Sequence, residues 1–358
     1  VFHNTLHFRN ICVFSINRRK WAFPVFDFGR FFRNLSCHAP SDVIIQDCRS
    51  GVSETDQSEC DGRKRVSRRM LMILGGQGYV GSAIASAVRR QGLAFRIISR
   101  RDVNYSDSTA LRQLLSSERP EFLINAAGYT GRPNVDACEK HRTECLAGNA
   151  LLPGVIRDVC EELEIPWGHV SSGCIYTGSR PDGSGFLETD PPNFSFRQNN
   201  CSFYSGCKAL GEELLVGAAN CYIWRLRIPF DENDSGRNYI SKMMRYDTLL
   251  QATNSLSHLT EFAECCVASW TRKVPFGIYN LTNPGQVCTS EVVDMIRKHG
   301  LSSRDFRFFE SEAQFMSKAA ITPRSNCVLD SSKAISAGLP LSPVTEALDR
   351  AMRNWKSA

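Results

Sequence analysis

The segment "MLMILGGQGYVGSAIASAVRRQG", from Met70 to Gly92, constrains the chain more than any other. An apolar run enters a glycine cluster, and an amphipathic stretch follows until Gly92 stops it. This order predicts a strand, a tight turn and a helix. Gly76-x-Gly78-x-x-Gly81 fits the frame of a dinucleotide site, and Gly75 gives a second reading, Gly75-x-x-Gly78-x-x-Gly81. Glycines are needed there because the backbone must turn sharply and approach a pyrophosphate, whose charge then rests on the helix N-terminus at Tyr79 and Val80.

The next apolar run, "FRIISRR", ends in Ser99, Arg100 and Arg101. An acid at that point would hold both ribose hydroxyls of NAD, whereas arginine accommodates the 2′-phosphate of NADP. The first acid is Asp102, so NADP(H) is favoured over NAD(H). A helix-like stretch from Asp107 to Ser117 precedes "EFLINAAGYTGRP", whose apolar centre reads as a buried parallel strand. Asn125, Ala126, Ala127 and Gly128 at its end would let a cofactor lie close to the backbone. Small residues there serve close packing under a helix equally well. Further alternation through "GNALLPGVIRDVCEELEI" and "PWGHVSS" predicts an α/β fold, a doubly wound parallel sheet of Rossmann type covered on both faces.

The 358 residues carry a net charge of +6 with bases and acids intermixed, which argues against a nucleic-acid or membrane surface as the main partner. No apolar run reaches the roughly 20 residues that span a bilayer. The 15 cysteines are irregularly spaced and odd in number, pointing to a reduced cytoplasmic protein without a metal site rather than a disulfide scaffold. Residues 1–69 differ from the rest: they begin at Val1, carry many Arg and Phe, and end in "GRKRVSRR". They read as a disordered or organelle-targeting extension, a cloned fragment or a mis-set gene start. We expect the nucleotide domain over 70–225, and over 226–358 mainly a smaller substrate lobe with a terminal helix whose stripe is Leu341, Val344, Leu348 and Met352 or Trp355.

Tyr204-x-x-x-Lys208 opens the helix-like run "YSGCKALGEELLVGA". At that spacing the two side chains share one face, and the ammonium is expected to lower the phenol pKa toward neutrality. Ser172 would add a hydrogen bond to a substrate carbonyl. Each of these features alone is commonplace; their order after the glycine turn points to catalysis.

Together, "NAAGYTGRPNVDACE", "SSGCIY", "FYSGCKALGEELL", "RLRIP", "RNYISK", "YNLTNPG" and "PRSNCVLD" resemble the extended short-chain dehydrogenase/reductases, within them the dTDP-4-dehydrorhamnose reductase branch, and most closely its bifunctional 3,5-epimerase/4-reductases. The resemblance covers residues 70 to about 355. It implies a Ser172, Tyr204 and Lys208 reductase triad that also meets the cofactor, and Cys174 with Lys242 as the proton-exchanging pair of an epimerase. It further implies a nucleotide-sugar substrate, giving UDP- or dTDP-L-rhamnose, with Thr130, Asn149, Arg324 and Asn326 on the substrate side. A separate 4,6-dehydratase would supply the sugar, and a homodimer is compatible with this reading. Two alternatives stay open: a reductase without epimerase activity, and a non-catalytic nucleotide-binding subunit of the kind that regulates methionine adenosyltransferase.

Overall fold

The computed structural model describes residues 70–357; the extension over 1–69 lies outside the described residues. Six parallel strands form the central sheet: β1 Met70–Leu74, β2 Ala94–Ile98, β3 Phe122–Asn125, β4 Trp167–Ser172, β5 Cys221–Leu226 and β6 Gly277–Asn280. Their spatial order is β6-β5-β4-β3-β1-β2. The chain therefore reverses direction of travel between β1 and β3, and in open α/β sheets ligands bind at the carboxyl ends of the strands beside such a switch.

The strands are nearly continuous apolar runs because both faces are covered. On one face Leu71, Ile73, Phe122 and Trp224 pack with Ile84 and Val88 of helix α1, Tyr79–Arg90, and with Phe262, Cys266 and Val267 of helix Leu259–Thr271. On the other, Met72, Leu74, Leu123 and Ile223 meet Leu111 and Leu115 of helix α2, Ser108–Glu118, and Ile156 and Val159 of helix Leu152–Glu162. Helix α2 starts where the sequence predicts, because the Asp107 carboxylate accepts the Ala110 N–H at 2.8 Å and caps it.

The boundary expected at residue 225 cuts across the sheet. Strand β6 completes the edge beside β5, and helix Leu259–Thr271 belongs to the core under α1, so both return to the nucleotide half after the chain has visited the second lobe. That lobe has its own core, with Phe230, Ile240, Met243 and Leu256 packed against Val292, Val293 and Ile296. Val344, Leu348 and Met352 of helix Val344–Arg353 close it, the stripe read from sequence, while Leu341 and Trp355 remain partly buried. Among the described residues no helix is long and apolar enough to cross a membrane.

Candidate active site

The glycine turn after β1 is shaped by what a side chain would strike. Gly75 has φ +72°, and a Cβ there would lie 2.7 Å from the Ala127 backbone. A Cβ on Gly81 would lie 2.2 Å from the Gly75 carbonyl oxygen. The turn is thus pressed against both the start of α1 and the end of β3, with Gly76 under Ile97 and Gly78 at the helix N-cap. The Gly78 N–H closes the turn onto the Gly75 carbonyl at 3.0 Å, and the Tyr79 and Val80 N–H groups at the first turn of α1, with the helix dipole behind them, suit a pyrophosphate. Asn125 is fully buried; its Oδ1 accepts the Ala127 N–H at 3.1 Å, fixing the bend beside the glycine turn, and its Nδ2 lies 3.0 Å from Nδ1 of His169. The Tyr79 phenol lies against Asp231 and Ser235, and burial with the Asp231 charge pushes its pKa upward.

At the end of β2, Asp102 is turned back on its own loop. Its carboxylate accepts the Ser99 N–H at 2.8 Å and the Ser99 hydroxyl at 2.7 Å, and these bonds hold its pKa down. Arg100 and Arg101 are exposed around it, with Arg100 over the Tyr105 ring at 5.9 Å. The acid is engaged and the guanidinium groups face solvent, an arrangement that suits a 2′-phosphate.

Ser172 ends β4, and Cys174 sits two residues on in the single turn Gly173–Ile175, where its backbone N–H donates to the Ser172 hydroxyl at 3.2 Å. Helix Phe203–Glu213, capped by Ser202, brings Tyr204 and Lys208 to the same corner. Lys208 is buried and donates to the Val170 carbonyl at 3.0 Å; burial lowers its pKa. Tyr204 departs from the sequence expectation: its pKa is raised, not lowered. Burial dominates, nearby Cys174, Cys138 and Cys145 add to it, and a hydrogen bond with Ser172 only partly offsets it. A phenol held protonated is a proton donor at neutral pH.

Three wholly buried thiols back this corner, Cys138, Cys145 and Cys207, with Tyr204 and Tyr129 packed against them. Asn149, adjoining them, is occupied rather than open to substrate. Its Oδ1 accepts the Tyr129 N–H at 3.2 Å, its Nδ2 donates to the Tyr129 carbonyl at 2.6 Å, and Cys145 Sγ lies 3.4 Å away. Asn149 therefore positions the loop after β3.

Lys242 lies on helix Tyr239–Arg245, partly buried, with its pKa lowered by burial and by Arg237. Arg237 reaches to the Thr130 hydroxyl and the Gly131 carbonyl, both at 3.0 Å. Cys174 is almost wholly buried, which pushes its thiol pKa up against hydrogen bonds from Ser172 and Ser205 and the charges of Arg227 and Lys208. Among the described residues no hydrogen bond joins Cys174 to Lys242.

On the substrate side, Arg324 is held by Asp136 in a two-pronged pair of 2.7 Å bonds and also donates to the Thr322 carbonyl. It clasps the second lobe to the loop after β3 instead of presenting a free fork to a diphosphate. The Asn326 side chain accepts from Asn254 at 3.2 Å. A residue that sequence reasoning passed over is Arg227, buried beside Gly173 at the end of β5. The signal was available: Arg225 and Arg227 interrupt an otherwise apolar buried strand, where unpaired charge is costly.

Residues 69–357 match the family model for the RmlD substrate binding domain. A bifunctional dTDP-4-dehydrorhamnose 3,5-epimerase/dTDP-4-dehydrorhamnose reductase of Arabidopsis thaliana is 34% identical over 77% of this chain and 90% of its own length. A trifunctional UDP-glucose 4,6-dehydratase/UDP-4-keto-6-deoxy-D-glucose 3,5-epimerase/UDP-4-keto-L-rhamnose-reductase of the same plant is 34% identical over 73% of this chain, which spans only 38% of that longer relative. The crystal structure of a UDP-rhamnose synthase from Acanthamoeba polyphaga mimivirus superimposes with a TM-score of 0.73 at 23% identity, covering 80% of this chain and 99% of that one.

Proposed function

The chain belongs to the RmlD substrate-binding-domain family, and from that membership we propose that it is an NADPH-dependent enzyme acting on a nucleotide-linked 4-keto-6-deoxyhexose, which it epimerises at C3 and C5 and reduces at C4 to UDP- or dTDP-L-rhamnose. The observation that carries this reading is the meeting of Ser172, Tyr204, Lys208 and Cys174 at the carboxyl end of β4, beside the switch-point crevice. Gly75, Gly76, Gly78 and Gly81, with Arg100 and Arg101, fit NADP(H), and the bound cofactor would supply hydride to C4.

Ser172 and Tyr204 hold the C4 carbonyl oxygen, and their hydrogen bonds draw electron density onto it. A base on one face removes the proton alpha to that carbonyl. The C–H bond breaks, an S–H bond forms if Cys174 is the base, and the electron pair becomes the enolate held by Ser172 and Tyr204. Lys242 returns a proton to carbon from the other side, inverting the centre. In the reduction Tyr204 gives its phenolic proton to the C4 alkoxide, the role that its raised pKa favours. Lys208, fixed to the Val170 carbonyl, places positive charge behind the phenolate that remains. A separate 4,6-dehydratase would provide the keto sugar.

Proton NMR in deuterated water tests the proposal with UDP-4-keto-6-deoxyglucose. Deuterium entering C3 and C5 before NADPH is added, and rhamnose appearing after, is the expected result. No labelling but turnover of a pre-epimerised substrate would reduce the chain to a reductase, and NADPH-induced thermal stabilisation without any turnover would make it a binding module. Undiminished labelling by Cys174→Ala would remove the thiol from the mechanism.

A further inference from the structure

Arg227 is 6% exposed, yet among the described residues it forms no ion pair. Its guanidinium is held by neutral acceptors, the Asn254 Oδ1 at 2.6 Å and the Ser325 carbonyl. Its Nε is buried and, among the described residues, has no hydrogen-bond partner. A buried cation left without a counter-charge is strongly unfavourable unless something in its working cycle supplies one.

The position of the side chain says what that is. Its Cδ would lie 3.4 Å from a Cβ built on Gly173, so the arginine runs along the backbone immediately before Cys174. The Ser325 that accepts from it also donates to the Tyr176 carbonyl at 2.6 Å, which ties the guanidinium to the far side of the same turn. The Arg227 charge is also felt by Tyr239, three residues before Lys242 on one helix. Arg227 thus runs along the element that carries Cys174, and its charge reaches the helix that carries Lys242.

We propose that Arg227 is a positioning residue of the epimerase half-reaction, the fixed counter-charge that lets Cys174 exist as a thiolate and take a proton from substrate carbon. This rests on the functional reading above and deepens it. The groups that face Cys174 are Ser172 from its own turn, Tyr204, Ser205 and Lys208 from helix Phe203–Glu213, Cys201 before that helix, Cys138 from helix Ala137–Lys140, and Arg227 just past β5. Only Lys208 and Arg227 carry positive charge; Lys208 donates to the Val170 carbonyl from the helix it shares with Tyr204, whereas Arg227 runs along the turn that carries Cys174. Burial lifts the thiol, and the charges of Arg227 and then Lys208 oppose that rise.

The test is the pH dependence of deuterium exchange at C3 and C5, measured without NADPH in the wild-type chain and in Arg227→Gln and Arg227→Lys, with circular dichroism and NADPH binding to report the fold. In Arg227→Gln the rising limb of the exchange profile is expected to move up by one unit or more, as loss of a nearby opposite charge shifts a pKa by about 1–3 units, so exchange at pH 7 falls at least tenfold. Arg227→Lys keeps the charge and is expected to leave the limb within about half a unit of wild type. An unmoved limb in folded Arg227→Gln overturns the proposal. So does a limb displaced by a full unit in Arg227→Lys, whether or not the glutamine chain folds. Absence of exchange in the wild-type chain would refute the epimerase reading itself, a result distinct from either.

Discussion

Glu212 and Glu213 are neighbours on one helix and differ in almost nothing but burial. Glu212 is paired with Arg225 through bonds of 2.8 and 3.2 Å, with side-chain exposures of 7% and 2%, and it also accepts the Ser171 hydroxyl at 2.5 Å. Glu213 pairs with Arg197 at 2.6 Å, but there the exposures are 37% and 73%. Replacing either acid by glutamine keeps the shape and removes the charge. In Glu212→Gln the Arg225 guanidinium stays inside the sheet uncompensated, which costs about 3–5 kcal/mol. In Glu213→Gln only a solvated pair is lost, worth about 0–1 kcal/mol. At about 2–4 °C of melting temperature per kcal/mol for a domain of this class, Glu212→Gln should melt roughly 6–20 °C lower and Glu213→Gln within about 4 °C of wild type. Urea titration and thermal unfolding followed by circular dichroism measure both. Equal, small losses in the two variants would show that burial does not set the worth of this pair, and the argument from uncompensated charge would fall with it.

Three further outcomes follow from the geometry. Gly81→Ala puts a methyl 2.2 Å from the Gly75 carbonyl and forces α1 away from the turn, so NADPH affinity by fluorescence titration should drop at least tenfold while the far-ultraviolet spectrum persists. Asn149→Ala leaves the Tyr129 amide and carbonyl without their partners, which should cost about 1–3 kcal/mol of unfolding free energy. His169 is wholly buried with its pKa held well below the ordinary value, by desolvation first and the Lys208 charge second. Below the unfolded value near ~6.5 the unfolded chain binds a proton that the folded chain refuses, so stability should decline as pH falls from 6.5 toward 5. His169→Gln should flatten that part of the curve, and an unchanged slope would exclude His169 as its source.

The strongest signals in the sequence were local ones. Gly75 to Gly81, the helix-like stretch from Asp107 and the Tyr204 and Lys208 spacing each act within a few turns of chain, and each has the predicted backbone in the structure. What escaped reading depends on pairs far apart in sequence. The Arg324 clamp on Asp136 joins residues separated by 188 positions, and Cys138, Cys145 and Cys207 converge with no spacing that announces it. The direction of the Tyr204 shift was hidden for the same reason, because spacing places the lysine nearby but only the packed structure shows Tyr204 partly buried against Cys138, Cys145 and Cys207. The return of helix Leu259–Thr271 and β6 to the sheet was equally illegible, since the polar loop after β5 looked like the end of a domain.

The strand order has a consequence for how the chain assembles. After β1 and β2, every strand docks beside one that precedes it in the sequence: β3 on β1, β4 on β3, β5 on β4 and β6 on β5. Emerging from the ribosome, the chain can therefore build the sheet and its glycine turn step by step, with no strand waiting for a later partner. The second lobe cannot be built that way, because Phe230, Ile240 and Val293 share their core with Val344, Leu348 and Met352. Until those last residues appear, the lobe keeps an uncovered apolar face, and a chain stopped short of Val344 would carry a finished cofactor cradle beside a surface prone to aggregate.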